Sequence, residues 1–444
     1  MLPLLACTST TIPSDPASPR DSVATEAIGD APRDTAPPAA AHLPVVLVET
    51  EGAIGDGVKV DGTIEVIEDH DGTLADLDAA ERAYAGPIGI EIHGSSSTGY
   101  PKLGYKLECR DADGTDGNCA LAGMPEGSDW VLHAPYSDKT FMRNALAYSL
   151  ARDVAGDRWE PRAQLVELFL GGEYAGVYLL VERVSVEDDR LVIPPTVDDA
   201  GVANGGFVVK VDQHRSEGFD TSYGTPIDWA EPKLSEVTPD AARYILGWFD
   251  GFEAALLADG WEQAWPAWID ADAWVDHWLL NELAHNIDAY RLSAYLWTDG
   301  PPPATLRAGP AWDFDRAWGN VNYCESWTTD GWIWDSLDRC GYAYQYPFWW
   351  ERLREDPAFR DRLRARWDEL RAGPLADEAI VARISELRAA ALEAQPRDDA
   401  RWGTIGEYVD PNWYVGETWD EEIRWLRDWA LERAAWMDEH VGEP

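Results

Sequence analysis

The dominant hydrophobic period of this chain shifts from strand-like to helical along its length, and that shift limits the possible fold more than any single motif does. From residue 43 to 193 apolar residues fall in short alternating or β-branched runs, at 43–48, 58–60, 63–67, 88–92 and 105–108, separated by Gly and Asp turns. Residues 165–170 and 176–182 flank the turn Gly171-Gly172-Glu173 and read as a hairpin. A helix is predicted to begin near Asp138, with Met142, Leu146 and Leu150 on one face and the aspartate near its positive end. Beyond residue 237 the period becomes helical. Thr238-Pro239-Asp240 reads as a cap and first turn before 241–257, and 272–285 carries Trp274, Val275, Trp278, Leu279 and Leu283 at helical spacing. A second hairpin over 293–307 interrupts, and helices resume over 356–371, 377–394 and 421–441. The expectation is an α+β chain with a strand-rich first lobe (43–193), a helical second lobe (194–372) and C-terminal helices (373–444) packed on the second lobe.

Charge removes whole classes of partner. The chain has 36 Lys plus Arg against 81 Asp plus Glu, a formal charge of −45. Phosphate-backbone affinity comes from cationic side chains, so a nucleic-acid partner is excluded, and an anionic membrane surface is disfavoured for the same reason. With 24 Trp and 45% hydrophobic residues the chain can still bury a large core. No apolar run reaches the roughly 18 residues of a membrane span.

The first residues include Leu4-Leu5-Ala6-Cys7, which resembles a bacterial lipobox whose cysteine is acylated after cleavage. The apolar stretch before it is short and lacks a positive flank, so the true start is expected upstream. Residues 8–42, rich in Thr, Ser, Pro, Ala and Asp, read as a disordered tether. Residues 1–42 are therefore expected to be a leader and tether on an exported, surface-held lipoprotein, with any membrane attachment made only through a lipid on Cys7. The other four cysteines are Cys109, Cys119, Cys324 and Cys340. They allow three connectivities, of which nearest-neighbour pairing is the simplest. Each such bridge would stabilise by roughly 3 kcal/mol in an oxidising compartment.

Two constellations carry candidate chemistry. The first is His285-Asn286-Ile287-Asp288 at a helix exit, joined by a hairpin to Trp312-Asp313-Phe314-Asp315. A hairpin returns the chain to its origin, so Asp288 and Asp313 are expected to lie close together. Carboxylates and an amide supply the hard oxygen atoms that suit Mg²⁺ or Mn²⁺, and a carboxylate left off the metal can orient a hydroxyl nucleophile. The second is the loop Gly94-Ser95-Ser96-Ser97-Thr98-Gly99, followed by Lys102 and Lys106. Its backbone N–H groups can cradle phosphate oxygens, and a strand lysine can reach them as a point charge. The chain has only six lysines, Lys59, Lys102, Lys106, Lys139, Lys210 and Lys233. The order of phosphate loop, strand lysine, helix, hairpin, catalytic Asp, hairpin and metal Asp follows the logic of phosphoryl transfer.

These residues carry a resemblance to the CotH family, the spore-coat-protein-H-type atypical protein kinases. The matching blocks are Ile92-His93-Gly94-Ser95-Ser96 with Lys102 and Lys106; Asp129 to His133 with Asp138 and Met142-Arg143-Asn144; Gly172 to Tyr178 with Glu182; Gly205-Gly206-Phe207; and Asn286-Ile287-Asp288 with 309–315. The resemblance implies a two-lobed protein-kinase-like fold that uses ATP and Mg²⁺ or Mn²⁺ to phosphorylate Ser or Thr of a surface or secreted protein. It implies Asp288 as the catalytic aspartate and Asp313 as the metal ligand, with Asp315 and Asn286 as further ligands. Lys106 is the expected phosphate-pairing lysine and Lys102 its rival. Gly94, Ser95, Ser96, Ser97 and Arg143 are placed on the ATP phosphates, and the segment from Glu182 to Val184 at the hinge where adenine and ribose bind.

The chain departs from ordinary protein kinases at identifiable points. The position five residues after Asp288 is Ser293 where those enzymes have Asn, and the helix after Asp138 offers Arg143 and Asn144 rather than a Glu to pair the strand lysine. His285 reads as a helix C-terminal cap. Two other readings stay open at this level. One is a catalytically silent surface-binding protein on the same fold; the other is a carboxylate-based glycan hydrolase with paired carboxyls about 5 or 6.5–9.5 Å apart.

Overall fold

Strands β1 (Val45–Thr50), β2 (Val60–Ile67), β3 (Tyr84–His93), β4 (Gly104–Cys109), β5 (Asp129–His133), β6 (Ala163–Leu170) and β7 (Glu173–Glu182) close into a barrel, in the order β1-β2-β3-β4-β5-β7-β6. Closure comes from β1, which pairs antiparallel with β2 and parallel with β6, setting Val45 opposite Glu167. The computed structural model describes residues 42–443 except 69, 71, 73, 75, 76, 78, 79, 213–217 and 343–345. Cys7 and the expected tether up to residue 41 lie outside the described residues.

Alternation explains the barrel interior. Ile64, Val66, Ile88, Ile90, Leu107 and Leu168 point inward from successive strands. Strands β5 to β7 instead bury both faces. Their other face (Val131, Leu165, Val177, Leu179, Val181) joins the main core with Leu146, Leu150 and Val154 of helix α1 (Arg143–Ala155). Each such side chain contributes roughly 1.5–3 kcal/mol by leaving water. The β6–β7 turn needs positive φ at both central residues, and Gly171 (φ 59°) and Gly172 (φ 75°) supply it.

A second sheet follows the order β12-β11-β8-β10-β9, from β8 (Phe207–Val211), β9 (Gly218–Asp220), β10 (Pro226–Glu231), β11 (Ala294–Thr298) and β12 (Arg307–Ala308). Helix α2 (Pro239–Leu257) begins where Thr238 Oγ1 accepts the Ala241 N–H at 3.1 Å. Next come α3 (Trp261–Ala264), α4 (Ala271–Ala284), α5 (Ile333–Arg339), α6 (Trp349–Glu355), α7 (Pro357–Arg371), α8 (Asp377–Ala391), α9 (Gln395–Trp402) and α10 (Trp419–His440). Among the described residues no helix is long and apolar enough to cross a membrane. Cys109–Cys119 and Cys324–Cys340 form disulfides, the nearest-neighbour pairing.

This architecture corrects the expectation of a two-lobed protein-kinase-like fold. The strand-rich region is a closed seven-stranded barrel, and a five-stranded sheet stands where helices were expected to dominate. By its contacts, Ala40–Pro444 is one unit. The reasons are long-range. Parallel pairing of β1 with β6 joins segments about 120 residues apart, and α9 returns to the barrel through buried charge. There Asp398 meets Lys102 Nζ at 2.6 Å and Arg397 meets Glu167 at 2.6 Å. Neither feature leaves a mark on local periodicity.

Candidate functional site

Helix α4 ends at His285, which adopts the left-handed conformation (φ 45°) and donates its backbone N–H to the last turn. The cap role expected for it holds, but as a neutral ring: burial, then Arg433, keeps the imidazole well below its ordinary pKa. The chain then turns inward. Asn286 Oδ1 accepts the Asp288 N–H at 3.2 Å, while its Nδ2 donates to Asn281 Oδ1 at 3.2 Å and to the Asp313 carbonyl at 3.3 Å. The β11–β12 hairpin brings Asp313 back beside this turn, as the spacing predicts. Asn286 therefore acts as a brace between the two aspartate segments, with both ends of its amide engaged.

Asp313 itself has φ 66°, a conformation in which a non-glycine residue is strained. Its N–H donates to Tyr148 Oη at 3.2 Å, and the Phe314 N–H to Asn144 Oδ1 at 2.6 Å, both from α1. Ser293 Oγ lies 3.5 Å from Asp313 Oδ2, so this side chain faces the carboxylate. Asp288 is buried and held by Arg291 at 2.7 Å.

The electrostatics are those of crowded like charge. Asp313 and Asp315 are half-buried. Burial raises the Asp313 pKa above the carboxylate range, and Asp315 and Asp288 push it further. Burial also raises Asp315, where Arg316 opposes the shift and Asp288 and Asp138 add to it. Among the described residues no group of three or more His, Cys, Asp or Glu side chains is gathered tightly enough to hold a metal by itself. Mg²⁺ needs no such cage, since one or two carboxylates plus waters and substrate phosphates complete its octahedron. A divalent cation would relieve the repulsion between Asp313 and Asp315, so the donor set fits one.

Beside the carboxylates lies the Gly94–Gly99 loop, a 3₁₀ turn over Ser96–Gly99 with Gly94 at φ 120°. A Cβ at Gly94 would come within 2.1 Å of Ser97 Oγ. Arg316 donates one arm to Ser96 Oγ at 2.6 Å and the other to Tyr323 Oη at 3.2 Å. It thereby ties the loop to the aspartates.

Lys106 sits opposite Glu91 in the β3–β4 ladder, with 3.8 Å between their charged atoms. Around His93, the residue just before the loop, Lys106 acts together with His133, Arg183 and Lys210. After burial, these are the groups that drive the His93 pKa down to about 3. An aromatic wall runs alongside, where the half-buried Trp312 ring lies 6.0 Å from buried Tyr148 and 6.2 Å from half-buried Tyr295, the register partner of Lys210.

Three expected site residues do not join this corner. Lys102 is 1% exposed and paired with Asp398; Arg143 is 1% exposed and paired with Asp138 at 2.6 Å; Glu182 is fully buried and paired with Arg162 at 2.6 Å. Their charge is neutralised inside the fold, so Glu182 braces β6 instead of presenting a hinge carboxylate. Conversely, the sequence reading assigned no role to Lys210 or Arg316, and named Arg183 only as part of the 182–184 hinge segment. Lys210 had a signal, being one of the six lysines and lying in a five-residue strand. Arg183 follows Glu182 within the expected hinge, and Arg316 follows Asp315 directly.

The pattern of the CotH kinase protein family matches residues 90–437 of the chain. No curated protein matches it. This match covers most of the sequence and spans every element of the corner just described; the chain belongs to the CotH family.

Proposed function

We propose that this CotH-family protein is a phosphotransferase that moves the γ-phosphoryl group of ATP onto a Ser or Thr hydroxyl of a surface or secreted protein. One observation carries the reading. In a chain of charge −45, Lys106, Arg183 and Lys210, each also paired with a carboxylate (Glu91, Asp129 and Asp212), act on His93, while Arg316 bonds Ser96 and lies in the field of Asp288 and Asp315. Cations for a polyphosphate next to carboxylates for a divalent metal is the charge layout that ATP chemistry needs.

In this reading Asp313 and Asp315 hold Mg²⁺ or Mn²⁺, which when bound neutralises charge on the β- and γ-phosphate oxygens. The loop amides and Lys106 hold phosphate oxygens, with Arg183 and Lys210 extending the cationic wall. The rings of Trp312 and Tyr295 offer an apolar face to the nucleotide. Arg291 fixes the Asp288 carboxylate, which accepts a hydrogen bond from the attacking hydroxyl and aligns it. Arg316, free to exchange its neutral Ser96 contact for a charged one, stabilises the transferring phosphoryl group. Both disulfides are consistent with an extracellular protein, so the same reading has the chain exported, anchored through Cys7, and using ATP met during export or released nearby.

The test is transfer of labelled γ-phosphate to the protein itself and to a generic acceptor, comparing residues 43–444 with Asp288→Ala and Asp313→Ala. Transfer by the parent and its loss in both variants is expected. A parent that neither transfers phosphate nor gains thermal stability with ATP would favour the surface-binding reading, since a ligand at 100 times its Kd adds about 2.7 kcal/mol.

A further inference from the structure

The side chain of Asn144 has one acceptor oxygen and one donor NH₂ group, and its two neighbours leave it a single orientation. The Phe314 backbone N–H can only donate, so the atom facing it at 2.6 Å is Oδ1. Nδ2 then faces His133 Nε2 at 3.2 Å, and that ring nitrogen must be an acceptor. His133 is accordingly neutral with its proton on Nδ1. Its surroundings agree: burial lowers its pKa, with Asp313 and Asp138 opposing and Lys102 assisting.

One helical turn further along α1, Tyr148 Oη accepts the neighbouring Asp313 N–H at 3.2 Å. Residues four apart share a helix face, so one face of α1 takes up two successive backbone amides of the acidic segment. From the other side Asn286 Nδ2 holds the Asp313 carbonyl. The helix is itself anchored, because Asp138 accepts the Arg143 N–H at 2.8 Å and its guanidinium at 2.6 Å. An aspartate at φ 66° keeps that backbone only while such bonds hold it, and its φ decides where its carboxylate points relative to Asp315.

We infer that Asn144, oriented by neutral His133 and seconded by Tyr148, is the positioning residue that sets the Asp313–Asp315 pair for a divalent cation. In this protein α1 thereby governs the geometry of the Asp313–Asp315 pair. The inference rests on the proposed function only in taking Asp313 and Asp315 as the cation's carboxylates, and its test does not depend on catalysis.

Mn²⁺ is titrated into the full protein, with free Mn²⁺ counted by electron paramagnetic resonance and tryptophan quenching followed in parallel. Asn144→Ala should weaken Mn²⁺ binding about tenfold and Tyr148→Phe about threefold. Ser149→Ala, which removes a buried hydroxyl from the same helix, should leave it unchanged. His133→Ala, which frees the amide to flip, should fall between the first two. Folding of each variant is checked by near-ultraviolet circular dichroism. Should Asn144→Ala fail to fold, Tyr148→Phe and His133→Ala decide the matter. Equal Mn²⁺ affinity in the parent and the folded variants overturns the inference and leaves the proposed function standing. A parent that binds no Mn²⁺ at millimolar concentration overturns the cation site itself, and the positioning role with it.

Discussion

Where α9 crosses the barrel, each buried charge meets its opposite: Lys102 with Asp398, and Glu167 with Arg397. Around Asp313 the reverse holds: Asp313 and Asp315 sit in one corner with Asp288, and burial together with neighbouring carboxylates raises the pKa of Asp313 and of Asp315. Both regions are acidic residues in low-dielectric surroundings, yet in one each buried charge has an ion-pair partner, while in the other Asp313 and Asp315 are crowded by further carboxylates. A complete pair costs several kcal/mol to break and does nothing further; a crowded set of carboxylates invites a cation. The lysines make the same point four residues apart. Lys102 is enclosed, its pKa lowered by burial against the pull of Asp398, while the Lys106 side chain remains 34% exposed beside the loop.

The contrast is sharpest in the closed pair. Asp398→Ala strands a buried ammonium and also removes the acceptor of the Val177 N–H, so unfolding free energy should fall by about 3–5 kcal/mol in urea titrations. The folded fraction should keep its ATP affinity. A loss below about 1 kcal/mol would mean that water or another carboxylate reaches Lys102, and the contrast would dissolve.

The open region should respond to cation and to pH instead. A carboxyl whose pKa is raised on folding binds its proton more tightly in the native state. Its contribution is therefore favourable at low pH and is lost as pH rises from the ordinary carboxylate range, about 4, through its raised value. Parent protein should lose stability over that window relative to Asp313→Asn. Mn²⁺ at 100 times its Kd should restore about 2.7 kcal/mol in the parent and little in the variant. Parallel pH profiles for the two proteins would show that Asp313 is not under strain from its neighbours.

The smallest effect concerns Lys106. Lys106→Met should raise the apparent Kd for ATP about tenfold, close to 1.4 kcal/mol, with the melting temperature unchanged. A melting temperature that falls with it would place Lys106 with the structural lysines.

Much of this molecule can be read from local pattern. The Thr238 cap, the double-glycine turn after Leu170, the helix ending at Ala284 and the hairpin that returns Asp313 to Asp288 all depend on residues within a few positions of one another, or on a single turn. The second sheet was less legible, because β8 and β11 are brought together from positions roughly 85 residues apart. Within the site, the aspartates, the Ser-rich loop and Lys106 were visible as residue types suited to one chemistry. Arg316 was not, since its link to Ser96 spans 220 residues.

By itself, then, the sequence determined the long helices such as 239–257 and 271–284, the hairpins, the disulfide candidates and the acidic and lysine-bearing segments, because periodicity, capping and turn chemistry act over neighbouring residues; the short helices α3, α5 and α9 were not among its expectations. Only the tertiary structure decided that β1 and β6 close a barrel. It also decided that Lys102, Arg143 and Glu182 spend their charge on internal partners, and that α1 grips the Asp313 backbone. A charge is defined as much by what faces it as by what it is, and what faces these residues arrives from distant parts of the chain.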